Sequence, residues 1–275
     1  MGNKKMEYPI EKRTEDIRFT GERLVMNTFV KQNYGHVLEE HIQRYKLACK
    51  YVQTKNILDA ACGSGYGSEM MAQAGASHTV GLDISDESVK SANKKYGSEK
   101  IEFIVGDINH LSYKAETFDV VISFETIEHI SNGDAWIKES ARVLKDGGLF
   151  IISTPNRYMM NPGAYFEDKP KNPYHIFEYN IYEFAGALLK EYEIIDLYGQ
   201  IFCDELLISN SRTIRMIKKI IRNYIPTQKI KNVINQFRRG HSTADVDCTL
   251  IPFGDVQNKQ PLFIIAVCRK KHKVL

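Results

Sequence analysis

No run of the sequence is apolar for long enough to span a bilayer. Cysteine is scarce: five residues (Cys49, Cys62, Cys203, Cys248 and Cys268), with no C-x-x-C pair. That excludes the usual zinc spacings and a disulfide framework, and predicts a reducing, cytoplasmic setting. Met1 to Arg18 is polar and charged and contains no apolar signal core, consistent with the same expectation. Charge of one sign is also missing. The net charge of +3 gives no ground by itself for nucleic-acid or membrane binding. There are no internal repeats and no low-complexity tract. The remainder is ordinary for a folded protein, 43% hydrophobic and 26% charged, enough for a sizeable core.

The most informative stretch is Asp59-Ala60-Ala61-Cys62-Gly63-Ser64-Gly65-Tyr66-Gly67. It follows the apolar Asn56-Ile57-Leu58 and opens onto a predicted helix. Glycines allow a sharp turn and a close approach of ligand to backbone, and the helix start offers unpaired N–H groups. The spacing Gly63-x-Gly65-x-Gly67 differs from the dinucleotide fingerprint, and the acid precedes the glycines. Both features suit a nucleotide-like ligand without a pyrophosphate.

Further strands end in the same way. Val80-Gly81-Leu82-Asp83 is a second strand ending in an acid, where a carboxylate accepts ribose hydroxyls in related nucleotide folds. Phe103-Ile104-Val105-Gly106-Asp107 is a third. Phe118 to Phe124 is a fourth strand, and Leu144 to Pro155 is a glycine turn running into a fifth. Helices are expected at Tyr66–Ala74, Ser85–Tyr96 and Asp134–Leu144, the last capped by Asn132 or Asp134. Strand and helix patterns alternate, which predicts a parallel, doubly wound α/β sheet.

Residues 56 to 155 resemble, in order and spacing, the class I methyltransferases that use S-adenosylmethionine (SAM). The resemblance implies a Rossmann-like, mostly parallel seven-stranded sheet with an antiparallel edge strand. It also implies that Ala61, Gly63 and Gly65 bed the methionine portion of SAM and that Asp59 holds its ammonium group, directly or through water. Asp83 and Ile84 would take the ribose, Asp107 and Ile108 would frame adenine, and Phe124 would line the wall near the sulfonium.

Phe124-Glu125-Thr126-Ile127-Glu128-His129 follows the fourth strand, where an open sheet faces its ligand crevice. On a helical turn Glu125, Glu128 and His129 project to one face. Three readings follow: His129 is a general base helped by Glu128, the two carboxylates and the imidazole hold a divalent ion, or His129 only positions substrate or stabilises a loop. Asn172-Pro173-Tyr174-His175 brings a second histidine after the fifth strand. Together these segments resemble the small-RNA 3′-terminal 2′-O-methyltransferases. That likeness implies a magnesium quartet of Glu125, Glu128, His129 and His175, and an E-x-x-E-H stretch also occurs in ubiquinone-pathway O-methyltransferases. Two imidazoles favour manganese, iron or zinc over magnesium.

Residues 1–34 read as a polar lead segment, and 35–275 as the catalytic domain. Within the lead, Thr20-Gly21-Glu22-Arg23-Leu24 is followed later by Glu40-His41-Ile42-Gln43-Arg44-Tyr45. These segments resemble methyltransferases of bacterial polysaccharide and sugar-modification clusters. Two readings of Arg44 follow: a planar two-point pair with the SAM carboxylate, or a surface arginine on a helix. His36 to Val52 has helical spacing, with Val37, Ile42 or Tyr45, Leu47 or Ala48, and Val52 on one face.

The connection before the last strand, about 203–258, exceeds ordinary lengths and is expected to fold as a helical insertion. In it Ile214 to Ile225 is an amphipathic basic helix, read as a solvated cover helix or as a surface for an anionic acceptor or a membrane headgroup layer. The expected activity is O-methylation of a saccharide acceptor, with SAM as cofactor and magnesium or manganese as the candidate metal. The alternatives are an RNA ribose 2′-O-methyltransferase and an N-methyltransferase on an amino sugar or other small molecule. No aromatic–basic stacking module supports nucleic acid as partner.

Overall fold

A computed structural model describes residues 35–165, 167–204, 248–255 and 259–272. The lead segment with Arg23 and the basic helix at 214–225 lie outside the described residues.

Helix α1 (Gly35–Ala48) is followed by a short 3₁₀ turn. The α/β alternation then runs β1 (Asn56–Ala60), α2 (Tyr66–Gln73), β2 (His78–Asp83), α3 (Asp86–Tyr96), β3 (Ile101–Val105), β4 (Phe118–Ser123), α4 (Gly133–Val143) and β5 (Leu144–Pro155). The second half contains α5 (Arg157–Met160), α6 (Ile181–Leu188), β6 (Tyr192–Asp204), β7 (Ile251–Pro252) and β8 (Lys259–Lys270). The sheet order is β3-β2-β1-β4-β5-β8-β6-β7. Pairings among β1 to β5 are parallel, and β8 runs antiparallel to both β5 and β6. Eight strands form where seven are expected, because two-residue β7 adds to the outer edge of β6. Two strands run opposite to the other six: β8, between β5 and β6, and the short edge strand β7.

The central strands are buried on both faces, which explains their near-continuous apolar runs. On one face Trp136, Phe150, Phe184 and Tyr192 pack together; on the other, Leu47, Ile57, Met71, Ile122 and Val267. Asn132 is the cap of α4, its Oδ1 accepting from Ala135 N at 3.0 Å, so of the two candidates Asp134 is not the cap. The inner face of α1 departs from the apolar pattern: Glu40 and Arg44 are buried beside Tyr45, Leu47 and Ala48. Among the described residues, no helix is long and apolar enough to cross a membrane.

Candidate functional site

The carboxyl ends of β1 to β5 open into a cavity of about 690 Å³. This is the crevice position expected for a ligand of an open α/β sheet. One wall is the turn after β1, where Ala61, Gly63 and Gly65 all take left-handed backbone angles of 60°, 56° and 82°. At Gly65 a Cβ would in addition meet the Phe103 ring at 2.7 Å.

Asp83, at the tip of β2, accepts from Gly63 N and from Ser85 N, each at 2.9 Å. Its carboxylate thus ties the glycine turn to the start of α3 and lines the cavity. Asp107 accepts from the Asn109 backbone N at 2.8 Å, with Ile108 buried beside it. Phe124 closes the opposite side, edge-on to Tyr45 at 5.1 Å. Ala61, Gly63, Asp83, Ile84, Asp107, Ile108 and Phe124 therefore meet around one space. The left-handed turn, the anchored carboxylate and the apolar wall fit an adenosyl-type ligand.

Asp59, Gly65 and Arg44 do not line that space. Asp59 is buried behind the turn, accepting from Ser68 Oγ at 2.6 Å and from Tyr45 OH at 3.2 Å. Burial raises its pKa to about 6, against the lowering effect of those two hydrogen bonds. The carboxylate thereby serves helices α1 and α2 from behind the cavity wall. Gly65 shapes the turn from behind.

Arg44 is wholly buried. Its Nε donates to Gln200 Oε1 at 2.9 Å, and its guanidinium stacks on Phe263 at 4.5 Å. Its terminal nitrogens lie 3.6 Å from Glu125 and 3.9 Å from Glu40. The carboxylates beside it are the chain's own, Glu40 and Glu125, and neither terminal nitrogen makes a hydrogen bond. Burial pushes the Glu40 carboxyl up to about 7, with Arg44 opposing. Glu40, His41 and Tyr45 line the cavity, and the sequence reading assigned no site role to them. Burial holds the His41 imidazole well below its usual range. The signal was the polar i, i+4 pair Glu40–Arg44 on a helix face otherwise read as apolar.

At the other end of the cavity, Glu128, His129 and His175 each bring one donor atom within 4.8 Å of the others. Glu128 is fully buried; its Oε2 accepts from Thr154 Oγ1 at 3.2 Å, and its Oε1 has no hydrogen-bond partner. Burial, then the neighbouring Glu125 charge, holds the Glu128 carboxyl well above its usual range. His129 Nδ1 donates to the Tyr174 carbonyl at 3.1 Å, and its Nε2 lies 3.9 Å from Glu128 Oε1. His175 Nδ1 donates to Glu178 Oε1 at 2.7 Å, and its Nε2 accepts from Asn172 Nδ2 at 2.9 Å.

Glu125 does not join this trio, which corrects the expected quartet. Residues 127–129 form a 3₁₀ turn, but Glu125 stands before it with φ 49°, so no shared helical face exists. Its carboxylate instead accepts from Ser153 Oγ at 2.6 Å.

Residues 58–152 match the family model described as "Methyltransferase domain". The chain is 32% identical over 181 residues to a Mycolicibacterium smegmatis protein named as a probable S-adenosylmethionine-dependent methyltransferase, covering 66% of this chain and 67% of that one. It is 36% identical over 126 residues to a Pelagibacter ubique ubiquinone biosynthesis O-methyltransferase, covering 44% of this chain and 52% of the relative. The chain thus spans about two thirds and about half of these relatives. A solved S-adenosylmethionine-dependent methyltransferase from Mesorhizobium loti superposes with a TM-score of 0.54 at 15% identity, over 84% of this chain and 100% of that one; this likeness is one of fold.

Proposed function

The chain belongs to the S-adenosylmethionine-dependent methyltransferases, class I by fold, and we propose that it methylates a hydroxyl of a saccharide. The observation that carries this reading is the trio of Glu128, His129 and His175 in the same cavity as the glycine turn. An alcohol needs a base or a Lewis acid to become a nucleophile at neutral pH, whereas an amine needs neither. The likeness to an O-methyltransferase supports oxygen as the accepting atom. Vicinal hydroxyls of a sugar suit a cluster that offers two-point contact.

Bound SAM supplies an electrophilic methyl carbon on a positively charged sulfur. The turn at 61–65 holds the methionine end, Asp83 holds the adenosyl end, and Phe124 keeps water from the reacting line. His129 has its Nδ1–H committed to the Tyr174 carbonyl, so its Nε2 is the lone-pair side. That nitrogen takes the acceptor's hydroxyl proton, with the Glu128 carboxyl 3.9 Å away.

The same residues fit a divalent ion. Both histidines are oriented through Nδ1 by an outer acceptor, which presents Nε2 of His129 as ligand; Nε2 of His175 would exchange its Asn172 hydrogen bond for the ion. Glu128 Oε1 is buried and unpaired, as a ligand atom awaiting a cation would be. Glu128, His129 and His175 would hold the ion, which would acidify the acceptor hydroxyl. Two imidazoles and one carboxylate suit manganese, iron or zinc better than magnesium.

The test is transfer of labelled methyl from SAM to a panel of nucleotide sugars, lipid-linked sugars, amino sugars and short RNAs, with and without a chelator. Labelling of sugar hydroxyls supports the proposal. Loss of that labelling with chelator, restored by manganese, assigns the trio to a metal; indifference to chelator leaves His129 as the base. Labelling of RNA alone, or of an amine alone, overturns the choice of acceptor.

A further inference from the structure

His175 is the dividing wall between two spaces. On one side it lines the main cavity; on the other it lines an open cleft of about 530 Å³. The remaining walls of that cleft are Glu167, Asp168, Lys169, Pro173, Ile176 and Phe177. We infer that this cleft is an acceptor subsite, which takes the sugar residue next to the one being methylated, so that the substrate is an oligosaccharide. The inference rests on the saccharide reading above and names the substrate class more closely.

Three observations support it. The first is continuity. The trio holds the reacting hydroxyl at His175, and a chain of sugars leaving that point has the cleft directly behind the same ring. The wall itself is stiff: Pro173 fixes one backbone angle, Tyr174 N donates to Asn172 Oδ1 at 3.0 Å, and His175 N donates to the Asn172 carbonyl at 3.2 Å. A subsite of this kind needs a fixed distance to the reacting atom, and the turn at 172–175 supplies it.

The second is the chemistry of the lining. Sugars present hydroxyls around a ring whose faces are apolar C–H groups. The cleft offers both complements: carboxylates and an ammonium for the hydroxyls, and Pro173, Ile176 and Phe177 for a ring face. Ile176 is 54% exposed, in a segment where its backbone N donates to the Glu128 carbonyl at 2.8 Å. An apolar side chain held in solvent by a backbone tied to the catalytic turn is available to a ligand.

The third is that the polar heads are uncommitted. Glu167 and Lys169 make no side-chain hydrogen bond or ion pair among the described residues, and Asp168 spends one oxygen on Tyr165 N at 2.7 Å. Opposite charges side by side without pairing suit a neutral, polyhydroxylated ligand, which takes a donor from one and an acceptor from the other. A purely anionic ligand would be repelled by two of the three.

The experiment uses the full chain and the sugar labelled in the panel above, offered as one, two, three and four residues. The readout is kcat/KM for labelled methyl transfer, alongside the SAM dissociation constant. The expected result is a rise of about tenfold or more from one residue to two, one tenfold step corresponding to about 1.4 kcal/mol of added binding. In Glu167→Ala and Lys169→Ala that rise shrinks to about threefold or less, while the single-sugar value and SAM binding stay unchanged. Both positions are exposed, so the variants fold. Equal kcat/KM for all lengths in the wild type, or variants that lower single and longer acceptors alike, overturns the subsite and leaves the saccharide reading standing. Labelling of no saccharide removes that reading, and the subsite with it.

Discussion

Glu125 and Ser153 clasp each other across neighbouring strands: Glu125 N donates to Ser153 Oγ at 3.1 Å, and that hydroxyl donates to Glu125 Oε1 at 2.6 Å. The pair sits where β4 ends, and Glu125 has a left-handed φ of 49°, a cost for a residue with a side chain. The clasp offsets that cost and turns the chain so that Glu128 and His129 face the cavity.

Removal of the clasp is therefore expected to loosen the turn. Ser153→Ala should lower stability by about 1–2 kcal/mol, the scale of a buried hydrogen bond left unmade. Glu125→Gln keeps an oxygen for the hydroxyl and should cost less. The sole tryptophan, Trp136, is buried with Nε1 donating to Ser123 Oγ at 3.3 Å, so its fluorescence reports unfolding directly. Equal urea midpoints for wild type and Ser153→Ala would show that the clasp carries no stability.

Glu40 makes stability depend on pH in a defined direction. Its carboxyl moves from 4.5 to about 7 on folding, so the folded chain holds a proton that the unfolded chain releases. The contribution is full below pH 4.5 and is lost as pH rises through about 7. Glu40→Gln mimics the protonated form and should be the more stable protein at pH 8 by about 1–3 kcal/mol, with little difference at pH 4.5. Urea titrations of both proteins at the two pH values check the sign; a gap that widens at low pH contradicts it.

Asp83 links the glycine turn to α3 through two backbone N–H groups, and it faces the ligand space. Asp83→Asn is expected to weaken SAM binding about 10–100-fold, the range for hydrogen bonds to a charged group. Calorimetric titration with SAM measures it, and an unchanged dissociation constant would take Asp83 out of the adenosyl seat.

Glu128 buries an oxygen without a hydrogen-bond partner, so its removal should separate function from stability. Glu128→Gln is expected to abolish methyl transfer to a hydroxyl acceptor while leaving the unfolding midpoint equal to or above the wild type's. Manganese titration followed by electron paramagnetic resonance adds a second readout: the wild type binds the ion and Glu128→Gln loses it if the trio is a metal site. A variant that transfers methyl at the wild-type rate removes Glu128 from the chemistry.

Gly65 has φ 82°, and a Cβ would fall 2.7 Å from Phe103 and 2.8 Å from the Ala92 Cβ. Gly65→Ala therefore combines backbone strain with overpacking, and about 2–4 kcal/mol of destabilisation is expected. Trp136 fluorescence in urea measures it, and a loss below 1 kcal/mol would mean that the turn relaxes freely.

Local sequence determined the α/β alternation, the acid-tipped strands, the glycine turn and the boundaries of the three helices between β1 and β5 to within a residue or two. These are properties of short segments: runs buried on both faces, caps and positive φ each leave a mark in a few neighbouring residues. The meeting of Glu128 and His129 with His175, 46 positions later, was legible only through resemblance, because spacing says nothing about a contact made across β5 and the turn at 172–175.

Tertiary structure alone decided the rest. It turned Glu125 away from the trio, since a left-handed φ breaks the helical face that spacing implied. It buried Arg44 between Glu40, Glu125, Gln200 and Phe263, residues drawn from α1, the end of β4, β6 and β8. It set Asp59 behind the cavity wall, because Ser68 and Tyr45 reach its oxygens first. Side-chain partners from distant strands compete for each charged group, and only the folded chain shows which partner lies within hydrogen-bond reach.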